Sequence, residues 1–417
     1  MRTFVLAVAS FAALAIAATA GCSSSSAPAS AAGGDDGGAD SGSLTTVSFQ
    51  MQATVPAGGE MFKCQYVQLP DVPAFMVSAK HNYTPGSHHM LLLTTSLNAI
   101  PAGQDQVTDC YEGSGSNIMS NARGVLYGGQ TPTGSEQLPA GIGLPTADNE
   151  VLIFQVHYLN ASASDLNAQV NVDLTLDTNS DDIQQRAGII FFYDPFIDVP
   201  AGATAKASMR CQIPSDITLL YASSHYHSRG VGYGAYLDPA VDQLATTPFY
   251  TSNSWSSPDN ASLTMPIPAG SRIRFECDYD NSAGTQAFFS GQSAQTNEMC
   301  MFIGTYYPEM GEPSDFCISG EDMLGTGTAA CGATMSCMQA CGGKIALGGF
   351  EISPPDCEQT CMVASCPSAA APLIDFSTCM SGSCKTQCSD TTSSDCTTCI
   401  TANCATQYET CQSHTCN

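Results

Sequence analysis

Short apolar runs, broken at close intervals by Gly, Pro, Asn and Asp, fill the chain from Leu44 to about Cys317. Runs such as Val151–Tyr158, Val170–Leu176, Gly188–Tyr193, Leu219–Ala222, Gly232–Leu237 and Arg272–Tyr279 are predicted to be strands. Long helical periods are absent. Pro-Ala-Gly recurs at Pro56, Pro101, Pro139, Pro200 and Pro268, where it fits hairpin ends or loop entries. The pattern predicts antiparallel β-sandwich or jelly-roll architecture. Roughly 270 residues is large for one sandwich, so two tandem domains are expected, 44–183 and 184–320, divided near Asp181–Arg186.

Past Glu321 the pattern changes. Fourteen cysteines crowd Cys331 to Cys416. The spacing Cys-x3-Cys recurs at Cys337/Cys341, Cys357/Cys361 and Cys384/Cys388. On a helix, residues four apart share a face, so two such helices could be stapled together by paired disulfides. Residues 321–417 are therefore expected to be a small, disulfide-rich, helical module. Metal storage by free thiols is the other reading of the same cysteines. It fits poorly outside the cytosol, and only Cys396/Cys399 has the Cys-x2-Cys spacing of zinc sites.

Composition places the chain outside the cytosol. Its 417 residues include 21 cysteines, more than a reducing compartment sustains. Met1-Arg2 followed by apolar residues from Phe4 to Ala20 reads as a signal peptide, residues 1–21, with no stop-transfer pattern after it. Ala20-Gly21-Cys22 resembles a bacterial lipobox, although Thr19 stands where leucine is favoured. Lipidation of Cys22 would leave an even number of cysteines to pair. Residues 22–43, rich in Ser, Ala and Gly, read as a flexible tether. The expected location is the bacterial outer membrane or cell surface, with the membrane touched only through the lipid. A soluble secreted or periplasmic protein is the alternative. The net charge of −26, with only 12 Lys and Arg, argues against nucleic-acid partners.

Seven histidines are present, and most fall in three motifs. His225-Tyr226-His227 follows an apolar run, and residues two apart on a strand share a face, which begins a metal site. His88-His89 opens the run Met90–Leu93. Neighbouring side chains on a strand point oppositely, so joint binding there requires a bulge or the use of different ring nitrogens. His157 lies in the predicted strand Val151–Tyr158, where a lone histidine is more often a packed core residue. Met299 by itself reads as core filler, but a thioether beside imidazoles suits copper, which accepts soft sulfur. His81 is expected in a loop or at the surface, His414 at the surface, Trp255 in packing and Arg229 in an ordinary ion pair. Asn160-Ala-Ser and Asn260-Ala-Ser match glycosylation acceptors, which a bacterial lipoprotein would usually leave bare.

His88-His89-Met90-Leu-Leu-Leu, Gln155-Val-His157-Tyr, His225-x-His227 with Gly230, Glu298-Met299-Cys300, and Tyr306-Tyr307-Pro308 occur in that order. Together, over about Phe62 to Cys317, they resemble the copper type II, ascorbate-dependent monooxygenases, the family of dopamine β-monooxygenase and peptidylglycine α-hydroxylating monooxygenase. The resemblance implies two β-sandwiches facing each other across a cleft. It implies two copper ions: an electron-transfer ion on His88, His89 and His157, and a catalytic ion on His225, His227 and Met299. It implies O2, a small-molecule substrate, and ascorbate or another one-electron donor as partners. It also implies the disulfides Cys64–Cys110, Cys211–Cys317 and Cys277–Cys300.

The sequence departs from the peptide-hydroxylating branch. The arginine expected two residues before His225 is Ser223. The Asn and Tyr expected two and four residues after Met299 are Met301 and Ile303. A less anionic, more apolar substrate than peptidylglycine is expected. The alternative to a monooxygenase is a non-catalytic copper-binding surface lipoprotein for storage or delivery.

Overall fold

In the computed structural model, described for residues 43–111, 118–240, 242–311, 315–317, 323–341, 356–384, 386–389 and 393–416, the strand Val151–Leu159 shows how the fold is built. Nearly every residue in it is buried. Leu152, Phe154, Val156 and Tyr158 point into the core of a sandwich. Val151 and Ile153 point the other way, into a second apolar cluster with Cys64 and Cys110. The two-residue period of a strand thus feeds two layers at once. His157 has the parity of that outer face.

The sheet around this strand runs Thr108–Asp109, Glu60–Gln68, Val151–Leu159, Ser87–Thr95, Ala122–Gly129. Its partner sheet runs Leu44–Val55, Leu166–Asp177, Ala74–Tyr83, Ile142–Thr146, Gln185–Arg186, with Thr133–Gln137 also paired to Ala74–Tyr83. The second sandwich has one sheet ordered Gly188–Tyr193, Cys300–Tyr307, Ile217–Tyr226, Ala261–Ile267. The other is ordered Tyr250–Ser252, Gly230–Asp238, Arg272–Asp280, Thr204–Gln212, Met323–Leu324. The fold is mainly β, as the apolar pattern predicts. Both boundaries shift slightly. Gln185 and Arg186 pair in parallel with Ile142 and Gly143, so the first sandwich ends after Arg186 rather than at 183. Met323–Leu324, expected in the tail, adds an edge strand to the second sandwich.

Among the described residues the tail forms five α-helices: α1 (Cys331–Cys341), α2 (Asp356–Val363), α3 (Ala370–Ser383), α4 (Ser394–Asn403) and α5 (Ala405–Ser413). Ser393 caps α4 by accepting from the amide of Cys396. Helices this short are marginal alone, and covalent links replace a large core. Cys337–Cys361 and Cys341–Cys357 staple α1 to α2 through their four-residue spacing. Cys331–Cys411, Cys366–Cys416, Cys379–Cys404, Cys384–Cys399 and Cys388–Cys396 complete the module. Phe196 of the second sandwich is buried in the module's core, and burying such a ring stabilises by roughly 1.5–3 kcal/mol.

Among the sandwich cysteines the disulfides are Cys64–Cys110, Cys211–Cys317 and Cys277–Cys300, the pairs that the resemblance implies. This density of disulfides fits an oxidising, extracytoplasmic setting. Among the described residues no helix is long and apolar enough to cross a membrane. The predicted signal peptide, the tether up to residue 42 and Cys22 lie outside the described residues.

Candidate metal centre

Five histidines meet between the sandwiches, on the outer faces of two sheets. His89 and His157 are register partners on adjacent strands. The register slips between Ser87 and His89, and this irregularity lets His88 and His89 both turn inward. In the second sandwich His225 pairs with Met301 and Tyr226 with Cys300. Continuing that register by one step, past the ends of both strands, brings His227 level with Met299. The parity separates core from site: Tyr226, Cys300 and Phe302 enter the sandwich core, while Met299 and Met301 join Phe191 and Tyr193 on the outer face. Gly230 permits the turn after His227, since a Cβ there would lie 2.1 Å from the Tyr226 ring.

The histidines form one cluster rather than two separate sites. The ring of His88 lies 5.2 Å from that of His89, 5.0 Å from His157, 5.2 Å from His225 and 5.9 Å from His227. His89 lies 5.0 Å from His225, and His225 lies 5.2 Å from His227. Ring nitrogens of His88, His225 and His227 lie within 4.8 Å of one another, a three-ligand group drawn from both expected sites. The expectation of two ligand sets in separate domains therefore becomes two sets side by side. Two other clusters of potential ligands contain cysteines of the tail, but those sulfurs are already in disulfides.

The polar environment suits a metal. Nε2 of His88, Nδ1 of His89, Nδ1 of His157 and Nε2 of His225 are buried without a hydrogen-bond partner. Such orphaned atoms cost stability unless something binds them. The opposite nitrogens of three rings are held in place. His157 Nε2 meets Glu60 at 2.8 Å, His225 Nδ1 meets the side-chain oxygen of Gln130 at 2.6 Å, and His227 Nδ1 meets the Asn297 carbonyl at 3.1 Å. Metal-ligating histidines are commonly oriented in this way through the nitrogen that does not bind the ion. Burial, and then the neighbouring imidazoles, push His88, His89 and His225 well below the usual histidine pKa. Burial pushes His227 down to about 3, and it lowers His157 despite the opposing pull of Glu60. The rings are therefore neutral at pH 7, the form that ligates metals. The donor set of neutral imidazoles with a nearby thioether fits copper.

A cavity of about 310 Å³ opens beside the cluster, lined by His89, His225, Met299, Phe191, Met301, Ile303 and Ser223 among others. Among the described residues no lysine or arginine lines it. Glu136 does, with one carboxyl oxygen buried and unpartnered. Burial pushes its carboxyl up to about 7, against hydrogen bonds with Thr305 and Asn260.

Outside the motifs, Trp255 and Arg229 are where the sequence puts them, in packing and in an ion pair, whereas His81 is not. His81 is buried in the strand Ala74–Tyr83 instead of lying at the surface. Its ring bonds Tyr127 at 2.8 Å and the Thr131 carbonyl at 2.9 Å, wedged against Gly129, whose Cβ would stand 2.3 Å from it. Trp255 packs its ring 5.5 Å from that of His88. Arg229 pairs with Glu298 at 3.3 Å. Asn160 is buried and donates to the carbonyls of Val55, Pro56 and Ser164, which removes it as a glycosylation acceptor. Glu60, Gln130 and Glu136 gave no sequence signal, because nothing along the chain distinguishes them from other polar residues.

No family model matches this chain, and no curated protein matches it. Among solved structures it is similar to PNGF-II at 9% identity, over 63% of this chain and 65% of that one, with a TM-score of 0.26. It is similar at 11% identity to a structure of the Sulfolobus turreted icosahedral virus, over 61% of this chain and 58% of that one, with a TM-score of 0.14. The chain spans less than two thirds of the length of either, and likenesses this distant carry no argument about what it does.

Proposed function

We propose that this protein is a copper-dependent monooxygenase, similar to the copper type II, ascorbate-dependent family, acting on a small, non-anionic substrate. The observation that supports the reading best is the convergence of His88, His89, His157, His225 and His227 on one buried cluster, with Met299 on the wall of the adjoining cavity. His88, His89 and His157 would hold one ion, and His225, His227 and Met299 the other. Copper bound there would supply the one-electron chemistry with O2 that a C–H hydroxylation needs. In the balanced reaction one oxygen atom enters the C–H bond and the other leaves as water. Two equivalents of a one-electron donor such as ascorbate supply the two electrons, and two protons are taken up.

The chain's own residues do the rest. Glu60, Gln130 and the Asn297 carbonyl fix ring orientation, so the ligand nitrogens need no rearrangement on binding. Phe191, Met301 and Ile303 give the cavity an apolar wall that excludes water from the reacting carbon. The absence of a lining lysine or arginine, together with Glu136, disfavours an anionic substrate. Ser223, Met301 and Ile303, which replace the carboxylate-holding residues of the peptide-hydroxylating branch, all line this cavity.

The test is copper content together with ascorbate-driven oxygen uptake, in the intact protein and in Met299→Ala. Two ions per chain are expected, with uptake collapsing in the variant while one ion stays bound. A single ion would favour the His88, His225 and His227 triad as a mononuclear site. Copper without uptake, across a panel of amines and apolar compounds, would favour storage or delivery. No copper at all would overturn the ligand assignment.

A further inference from the structure

The copper reading leaves the Cys-rich module without a role. We infer that this module is a brace for the segment that carries Met299, and that Gln359 is the positioning residue through which it acts. The inference rests on the reading of Met299 as a ligand.

Gln359 sits on α2 and is fully buried. Its side chain leaves its own module and bonds the second sandwich. Its Oε1 accepts from the amide of Ser290 at 2.7 Å and from the amide of Ile197 at 3.2 Å. Its Nε2 donates to the Ser290 carbonyl at 3.3 Å. One side-chain amide thus satisfies both backbone groups of Ser290, as a neighbouring strand would.

Ser290 is in turn tied to the candidate ligand. It forms a bridge with Glu298, the residue before Met299. The Gly291 amide donates to the Glu298 carbonyl at 3.1 Å, and the Glu298 amide to the Phe289 carbonyl at 2.8 Å. The same segment supplies the Asn297 carbonyl that meets His227. From the other side Tyr279 donates to the Met299 carbonyl at 2.7 Å, and Cys277–Cys300 clamps the next residue. The sandwich therefore fixes Met299 from its C-terminal side. On its N-terminal side Arg229 pairs with Glu298 and Glu60 accepts from Ser293 and Ala294, while beside the short pairing of Phe288–Phe289 with Asp198–Val199 it is Gln359 that holds the backbone of Ser290.

The disulfides explain why an eight-residue helix can serve as a brace. Cys357 and Cys361 flank Gln359 and are tied to Cys341 and Cys337 of α1. A helix this short is otherwise marginal. Stapled twice, it holds the amide of Gln359 at a fixed height above Ser290.

The test uses the full chain and two variants. Gln359→Met removes the bonds to Ser290 and Ile197 at nearly constant length. Gln359→Glu keeps the acceptor and loses the donation to the Ser290 carbonyl. In the metal-free protein, amide exchange at Ser290, Gly291 and Glu298 should rise on the order of tenfold or more in Gln359→Met. It should rise less in Gln359→Glu, and it should stay unchanged in the strand Val151–Leu159. In protein loaded with copper alone and reduced, the copper–sulfur signal in X-ray absorption should weaken while the histidine contribution stays. Met299→Ala supplies the reference with no such signal. Should Gln359→Met fail to fold, Gln359→Glu is read by the same two measurements. Unchanged exchange at Gly291 and Glu298, or an undiminished copper–sulfur signal, overturns the brace. A copper–sulfur signal that survives Met299→Ala overturns the ligand reading instead, and the exchange measurement then decides the brace alone.

Discussion

Removing the carboxylate of Glu60 should weaken metal binding more than it weakens the fold. Glu60 opens the strand that lies beside His157, and its carboxylate accepts three bonds. The donors are His157 Nε2 at 2.8 Å, Ser293 Oγ at 2.5 Å and the Ala294 amide at 2.7 Å. The last two belong to the second sandwich, so one residue both orients a candidate ligand and joins the domains. Burial opposes ionisation of Glu60, but these donors outweigh it and hold the carboxyl below its usual range. Bonds to a charged acceptor contribute about 1.5–3 kcal/mol each, and the three share one carboxylate, so Glu60→Ala should cost roughly 2–4 kcal/mol of stability. The effect on copper should be a 10–100-fold loss of affinity, roughly what removing the partner of a ligating histidine costs. Glu60→Gln keeps the shape and one acceptor, and it should fall between. Urea denaturation of the metal-free protein measures the first quantity, and competition with a chelator of known affinity measures the second. An unchanged copper affinity in Glu60→Ala, alongside the expected loss of stability, would refute the orienting role and leave Glu60 as a domain contact only.

Two further outcomes follow from the titrating groups. The clustered histidines have depressed pKa values, so their neutral forms contribute stability above about pH 6.5 that is lost as pH falls through the folded values, down to about 3 for His227. The melting temperature of metal-free protein should therefore decline steadily below pH 6.5, and a flat profile from pH 7 to pH 4 would contradict the cluster. Glu136 works in the opposite direction. Its carboxyl is raised from 4.5 to about 7, so stability is lost as pH rises through that window. Glu136→Gln should gain up to about 3 kcal/mol over the parent at pH 8 and nothing at pH 4, since each pKa unit is worth about 1.4 kcal/mol. Denaturation at the two pH values checks it, and equal differences at both would show that Glu136 does not titrate in the cavity.

Much of the architecture follows from short-range pattern. Gly188–Tyr193 is a strand with the bounds that its apolar run predicts, and Arg272–Tyr279 extends by a single residue. The four-residue cysteine spacing led to the double staple between α1 and α2, because helical periodicity puts such pairs on one face. The adjacent His88 and His89 required an irregular strand, and the register slips there.

What the chain could not express alone is which outer faces meet. Met299 and His225 line one cavity only because Cys300–Tyr307 is the strand paired with Ile217–Tyr226, a choice made by sheet order and not by any local period. His81, expected in a loop or at the surface, is buried instead, because two glycine-containing strands close over it. Glu60, Glu136 and Gln359 act across contacts between residues far apart in sequence. The union of the five histidines into one cluster belongs to the same class. Strand period decides which side chains leave the core. Only the docking of two finished sheets decides what those side chains find on the other side.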